Sequence, residues 1–194
     1  GDLHNASGTI LKAIEENESS EVIGRLLEHY YEINEGIGVH KSPALYGAFP
    51  TDPYSHTPAG KGAQQPGMTG QVKEDILSRF GELGVFIKNG MLHFNPCLLR
   101  KDEFLTASKS FHYVNVHFEH KSIVLEQNSL CFTFCQIPVV YKIDNNQSLE
   151  IVSVNGTSKK IDTLTLDATT SQQIFGRTGE IGHIIVNVVA ENLK

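Results

Sequence analysis

The chain contains no tryptophan, two methionines and only three cysteines among its 194 residues. Cys97, Cys131 and Cys135 make an odd count without a C-x-x-C pair, which argues against both a disulfide framework and a zinc ribbon. Cys131 and Cys135 fall in one predicted strand, on the same face and about 13 Å apart, too far to be bridged. We therefore expect three buried, reduced thiols. They favour a cytoplasmic location and leave a periplasmic or extracellular one open.

Long apolar runs and an excess of positive charge are also absent. No run approaches the roughly 18 apolar residues of a membrane-spanning helix, and the first residues lack the basic-then-apolar pattern of a signal peptide. The net charge is −6, with 16 basic residues spread along the chain, which argues against a nucleic-acid or anionic-membrane partner. Length and composition predict a globular chain with one sizeable domain or two small ones, a neutral ligand and no cofactor.

Prolines are scarce outside one stretch, because residues 36–68 hold all but two of the seven. The stretch also carries Tyr46, Phe49 and Tyr54, and it predicts a loop of about thirty residues, a length typical of binding loops or disordered segments. Aromatic rings beside polar groups are suited to stacking on sugar rings. They are equally suited to holding the loop against the protein, and both interpretations stay open. His40 and His56, the loop's histidines, are predicted to be surface hydrogen-bonding residues.

A helix is predicted directly after this loop. Thr69 stands where an N-cap hydroxyl belongs, and Gly81 or Gly84 is placed to end the helix. Apolar residues recur at helical spacing at Val72, Ile76, Phe80 and Leu83. Because a helix start presents unpaired N–H groups and the positive end of the helix dipole, it suits a phosphate, a carboxylate or polarised sugar hydroxyls. The alternative is an ordinary capped helix behind a surface loop.

Two helices are predicted at the beginning of the chain, over residues 7–16 and from Ser19 or Ser20 to Gly36. The second has an apolar stripe at helical spacing, formed by Val22, Ile23, Leu26, Leu27, Tyr30 and Ile33. Two helices joined by a short polar turn make an antiparallel helical hairpin.

From Val85 onward the hydrophobic pattern changes to a period of two. Asn89-Gly90 predicts a tight hairpin turn. Further strands are predicted over residues 111–118, 122–125, 130–134, 139–143, 148–154, 158–166 and 181–189, with polar turns at 155–160 and 169–178. The fold class is therefore α+β: a helical segment with a long loop over residues 1–84, then an antiparallel β-sandwich domain over 85–194.

Three histidines within nine residues, His112, His117 and His120, invite a metal-site interpretation. Strand alternation puts His117 on the face opposite the other two, and no carboxylate cluster completes a site. We therefore predict no metal.

The run from Thr69-Gly70-Gln71 to Gly84-Val85, followed by Lys88-Asn89-Gly90 and Asn95-Pro96-Cys97-Leu98, resembles the end of the catalytic barrel of cellobiose phosphorylase-like enzymes. The resemblance spans residues 54–105. Those enzymes are six-hairpin sugar enzymes in which a Gly-rich loop leads to a Thr-Gly pair on the last barrel helix, before a C-terminal β-domain. Their aromatic-rich phrase before the Thr-Gly pair is replaced here by the sequence from Gly62 to Met68.

The resemblance implies a carbohydrate partner and a ligand site at Thr69 and Gly70, with Gln65, His56 and Tyr54 as neighbours. It also implies that the catalytic acid lies upstream, in a catalytic domain of the same protein. Glu74 and Asp75 are the nearest carboxylates, and their helical spacing predicts a solvated face. The expected function is the non-catalytic C-terminal portion of a carbohydrate-active protein. A free-standing carbohydrate-binding module and a structural domain that docks on a missing partner domain are the alternatives.

Overall fold

The structure, a computed structural model, describes residues 2–36 and 76–194. Contacts between Cα atoms divide the chain into two compact units, Gly1–Gly81 and Glu82–Lys194. The predicted loop over residues 36–68 lies almost wholly outside the described residues.

The first unit begins with two helices, α1 (Asp2–Glu15) and α2 (Ser20–Gly36). They pack against each other, and the short connection between them makes the pair antiparallel. Ile10 and Tyr30 are fully buried, and the Tyr30 and Tyr31 rings meet edge to face at 5.2 Å. The predicted helical hairpin is confirmed, although α1 begins five residues earlier than its apolar pattern indicated. No described helix is long and apolar enough to cross a membrane.

The third helix, α3, occupies residues 76–82 in the described part of the chain. Its apolar side chains Ile76, Leu77 and Phe80 are exposed, whereas Leu83, just beyond the helix, is buried. Gly84 follows at φ +65°, and a Cβ there would lie 1.9 Å from the carbonyl oxygen of Asn95. Only glycine fits this left-handed position, which confirms the predicted role of Gly84 at the end of the helix.

The second unit contains nine strands, one helix and two short 3₁₀ helices in the described residues. The strands are β1 (Val85–Lys88), β2 (Met91–Phe94), β3 (Lys109–Val114), β4 (His120–Leu125), β5 (Ser129–Phe134), β6 (Ile137–Asp144), β7 (Ser148–Ser153), β8 (Ser158–Ile161) and β9 (Ile181–Val189). The helix is α4 (Ala168–Phe175), and the 3₁₀ helices span Lys101–Glu103 and Ala190–Asn192. Asn89 and Gly90, at φ 53° and 74°, form the predicted tight turn between β1 and β2.

Five strands form the main sheet, in the order β5-β6-β9-β7-β8. Neighbouring strands are antiparallel except β6 and β9, which are parallel. The α+β class is confirmed, and the purely antiparallel pairing predicted from the sequence is wrong at this one pair. The parallel pair arises because the chain leaves β6, forms β7, β8 and α4, and then inserts β9 between β6 and β7, a long connection of the kind that parallel strands require.

The core lies against one face of this sheet. Alternate residues of its strands are buried there, including Val139, Tyr141, Leu149, Ile151, Ile184, Val186 and Val188. Leu92 and Phe94 of β2 and Ile174 of α4 belong to the same cluster. The Tyr141 hydroxyl donates a hydrogen bond to the carbonyl oxygen of Leu83, and burial raises the pKa of this phenol well above its usual value. The covering layer is thus the β1–β2 hairpin and α4 rather than a second large sheet.

Helix α4 replaces the polar turn that the sequence predicted at residues 169–178. Asp167 caps it, its carboxylate accepting from the backbone N–H of Thr170 at 2.7 Å. Ile174 is fully buried, and the Ser171 hydroxyl accepts from the N–H of Leu92 at 3.0 Å. The helix was missed because only its last residues, Ile174 and Phe175, are large and apolar, too few to show a period.

The predicted strand 158–166 is also wrong in its second half. β8 ends at Ile161, and the following segment crosses to β2 instead of continuing in the sheet. There Phe94 donates its N–H to Leu164 and Leu166 donates to Leu92, both at 2.9 Å.

Candidate functional site

A pocket of about 410 Å³ lies at one end of the second unit, between the β3–β4 hairpin and the main sheet. Its volume is within the range of small-molecule sites. The hairpin contributes Tyr113, Asn115, Val116, His117, Glu119 and Lys121. The sheet and its turns contribute Gln136, Ile137, Val152, Ser153, Val154, Gly156, Gly179, Ile181, Gly182 and His183.

The hairpin has one half-buried face and one exposed face. Phe111 and Tyr113 lie two residues apart, so they share a face, and their rings stack at 6.3 Å. Lys121 is directly opposite Tyr113 in the register. His112, Val114 and His120 lie on the other face and are exposed. The alternation therefore turns Tyr113 and Lys121 toward the pocket.

Asn115 organises the turn that joins β3 to β4. Its side-chain oxygen accepts from the backbone N–H of His117 at 3.0 Å and of Glu119 at 2.9 Å, while its amide donates to the Glu119 carboxylate at 3.0 Å. Backbone bonds from Phe118 to Asn115 and from Asn115 to Glu119 close the turn. Asparagine suits this position because its short side chain bonds the backbone two residues ahead. The Asn115 side chain and these backbone bonds together fix the turn.

Glu119 and Lys121 form the charged part of the lining. The ammonium of Lys121 lies 3.0 Å from the Glu119 carboxylate, and both side chains are exposed. The hydrogen bond from Lys121, with that from Asn115, holds the pKa of Glu119 below its usual value. Glu119 is the one carboxyl among the described residues of the lining. Its lowered pKa keeps it ionised at neutral pH, and the two hydrogen bonds orient its carboxylate.

The sheet side of the pocket carries His183 opposite Val152. The register slips between Val152 and Ser153, leaving Gly182 as the extra residue of a β-bulge. A bulge redirects the side chains beside it. His183 is half-buried, and this burial lowers the pKa of its imidazole, an effect that Glu150 opposes and Lys142 reinforces. His183 is accordingly neutral at pH 7 and can both donate and accept a hydrogen bond.

Two further turns complete the pocket. Cys135 and Gln136, at φ 49° and 65°, form the two-residue connection between β5 and β6, and the Gln136 amide donates to the carbonyl of Asn115 at 3.2 Å. This bond ties the sheet to the hairpin turn. Gly179, at φ 81°, lies against His117, because a Cβ at this glycine would be 2.6 Å from the His117 Nε2.

His117 lies in the turn, after β3 has ended at Val114. Its assignment to a strand face was therefore wrong, whereas the predicted shared face of His112 and His120 is confirmed by the register. Within residues 2–36 and 76–194, no group of three or more His, Cys, Asp or Glu side chains is arranged to hold a metal ion.

The three cysteines are free and half-buried. Burial raises the pKa of Cys97 to about 11 and that of Cys131 to about 12, so both are protonated and unreactive at neutral pH. Cys135 belongs to the turn after β5, which corrects its predicted place in the same strand as Cys131.

The ligand residues predicted from the sequence, Tyr54, His56, Gln65, Thr69 and Gly70, lie outside the described residues, and this site stays a prediction. Glu74 and Asp75 also lie there. The pocket was not predicted, because its lining comes from segments up to 70 positions apart, Tyr113 and His183 among them. One available signal was Asn115, a turn-forming residue inside the predicted strand 111–118.

No protein-family model matches this sequence, and a search of curated proteins found no match.

Proposed function

We propose that this chain is the C-terminal, non-catalytic portion of a carbohydrate-active protein, and that its β-domain binds carbohydrate in the pocket beside the β3–β4 hairpin. The observation that carries the proposal is the lining of that pocket. It combines a half-buried aromatic ring, Tyr113, with neutral polar groups from Asn115, Gln136 and His183. A sugar presents hydroxyls and apolar C–H faces without net charge, and such a lining matches both.

The state of Glu119 argues for binding rather than catalysis. Glycoside cleavage needs a carboxylic acid that stays protonated near neutral pH, together with a second carboxylate or phosphate. The pKa of Glu119 is lowered by Lys121 and Asn115, so this group is an ionised hydrogen-bond acceptor. The acid of the parent protein is proposed to lie in an upstream catalytic domain, as in the cellobiose phosphorylase-like enzymes that residues 54–105 resemble.

Titration calorimetry of the full chain with a panel of soluble mono- and oligosaccharides tests the proposal. We expect weak but saturable binding to at least one sugar, and about a tenfold loss of affinity in Glu119→Gln, because a hydrogen bond to a charged acceptor contributes about 1.5–3 kcal/mol. Lys160→Met is the matched control: Lys160 is exposed on β8 and does not line the pocket. Sugar-release assays with and without phosphate should show no turnover.

Two results would contradict the proposal. One is the absence of binding to every sugar in the panel. The other is sugar release that disappears in Glu119→Gln, which would make Glu119 a catalytic residue despite its lowered pKa.

A docking role on a partner domain is the second candidate, favoured by the exposed side chains of α3. Ile76 is 52% exposed, and Leu77 and Phe80 are also exposed on the same short helix. Exposed apolar residues grouped in this way are typical of interaction sites. Ile76→Ser combined with Leu77→Ser should abolish co-purification with the upstream domain while leaving sugar binding unchanged. Unaltered co-purification would remove this candidate.

A further inference from the structure

Phe118, at the tip of the β3–β4 hairpin, combines two unfavourable features. Its ring is 81% exposed to solvent. Its backbone is in the left-handed region, at φ 61°, which side chains with a Cβ rarely adopt. Glycine or asparagine ordinarily occupies such a position in a hairpin loop. Strain of this kind, where the surrounding structure holds it in place, is concentrated at functional sites.

Several hydrogen bonds hold the turn around Phe118. Asn115 fixes the backbone N–H groups of His117 and Glu119, the residues on either side of Phe118, and the N–H of Phe118 itself donates to the Asn115 carbonyl at 3.0 Å. The Gln136 amide holds the same carbonyl from the sheet side. The backbone that carries Phe118 is therefore already ordered before any ligand binds, which lowers the cost of binding.

Phe118 lies between two residues that line the pocket and does not itself line it. His117 and Glu119 both line the cavity, and Val154, which is 69% exposed, lines it from the sheet side. Phe118 and Val154 therefore add exposed apolar surface beside the polar groups of His117 and Glu119. A ligand that fills the pocket and extends beyond His117 and Glu119 can reach the exposed Phe118 ring.

We propose that Phe118 is a stacking platform for a second sugar ring, so that the site binds an oligosaccharide rather than a single sugar. The inference rests on the proposed carbohydrate-binding function. One sugar occupies the pocket and hydrogen bonds to its polar lining. The next ring places an apolar C–H face on Phe118, which favours sugars such as glucose whose ring hydroxyls are all equatorial.

Calorimetry with D-glucose, cellobiose and maltose, on the full chain and two Phe118 variants, tests this inference. We expect a disaccharide to bind about fivefold more tightly than glucose, an advantage that Phe118→Ala removes while leaving the affinity for glucose unchanged. Phe118→Tyr keeps the ring and should retain the advantage. Val124→Ala, at an exposed site on the same hairpin away from the pocket, is the matched control.

Phe118→Gly separates a binding role from a role in the turn. Relief of the left-handed strain should raise the melting temperature by about 1–3 °C, while the disaccharide advantage disappears. Stabilisation with unchanged disaccharide binding would overturn the inference, because Phe118 would then serve only the turn.

The failures of the two proposals are distinguishable. If glucose and both disaccharides bind equally tightly and Phe118→Ala changes none of these three affinities, the platform is wrong and the carbohydrate-binding function stands. If no sugar binds to the full chain, the proposed function fails, and the platform fails with it. Loss of self-association in Phe118→Ala, measured by sedimentation without any change in sugar affinity, would assign the ring to a protein contact and overturn the platform.

Discussion

The main sheet and the β3–β4 hairpin are built from similar alternating sequences, yet they are stabilised differently. The sheet buries one whole face against β2 and α4, with Leu149 and Val186 fully inaccessible to solvent. The hairpin has two strands, and one of its faces is entirely exposed. An isolated two-stranded hairpin is marginal in water, so the turn around Asn115 contributes much of what keeps it ordered. The unit thus combines a sheet held by a large core with a hairpin held mainly by its turn, and the pocket lies between the two.

The largest expected difference between these regions is in the cost of truncating an apolar side chain. Leu149→Ala in β7 should lower the free energy of unfolding by about 2–5 kcal/mol, because it opens a cavity in the core. Val124→Ala in the hairpin should change it by less than about 0.5 kcal/mol, because Val124 is 71% exposed. Urea denaturation followed by circular dichroism measures both. Equal costs would mean that the hairpin face is covered in solution.

Removal of a tyrosine hydroxyl should also destabilise the protein more in the sheet than in the hairpin. Tyr141→Phe leaves the buried carbonyl of Leu83 without its donor and should cost about 1–3 kcal/mol. Tyr113→Phe, on the half-buried face of the hairpin, should cost less than about 0.5 kcal/mol. Thermal denaturation of the two variants side by side is the measurement. A larger loss in Tyr113→Phe would contradict the assignment of the sheet as the more tightly held region.

Asn115→Ala should act on the hairpin alone. It removes the acceptor for two backbone N–H groups and should destabilise the hairpin by about 1 kcal/mol, enough to accelerate amide hydrogen exchange over residues 109–125 by roughly fivefold. Exchange in β6, β7 and β9 should not change. Asn155→Ala, which removes a similar turn between β7 and β8, is the control and should affect that connection only. Faster exchange throughout the unit would show that hairpin and sheet open together.

The smallest expected effect is a pH dependence from His183, which lies on the sheet side of the pocket. Burial lowers the pKa of the folded imidazole below its usual value of 6.5. Below that pH the unfolded chain binds more protons than the folded chain, so this contribution to stability is present above about pH 6.5 and is lost as the pH falls through the folded pKa. Denaturation of the protein and of His183→Gln between about pH 7.5 and 5.5 tests the sign. A steeper decline in the variant than in the parent protein would contradict it.

Local signals in the sequence predicted the elements whose residues carry their own pattern. The α1–α2 hairpin followed from apolar residues at helical spacing, the β1–β2 turn from Asn89-Gly90, and the end of α3 from Gly84. Each depends on interactions between residues a few positions apart, which the sequence displays directly.

The sequence did not reveal elements that are stabilised by distant partners. α4 has few large apolar residues and is held by the Asp167 cap and by contacts with β2. The register of β9 between β6 and β7 depends on which buried faces match across the sheet, a property of the whole core. The pocket is a further example, because Tyr113, Gln136 and His183 are far apart in the chain and only the fold of the whole unit brings them together.

The sequence by itself therefore determined the α+β class, the helical hairpin and the positions of most strands, because these depend on local propensity and periodicity. Only the tertiary structure decided the parallel β6–β9 pair, the helix α4, the lowered pKa of His183 and the assembly of the pocket. These depend on burial and on contacts between residues far apart in the chain, for which no local pattern exists.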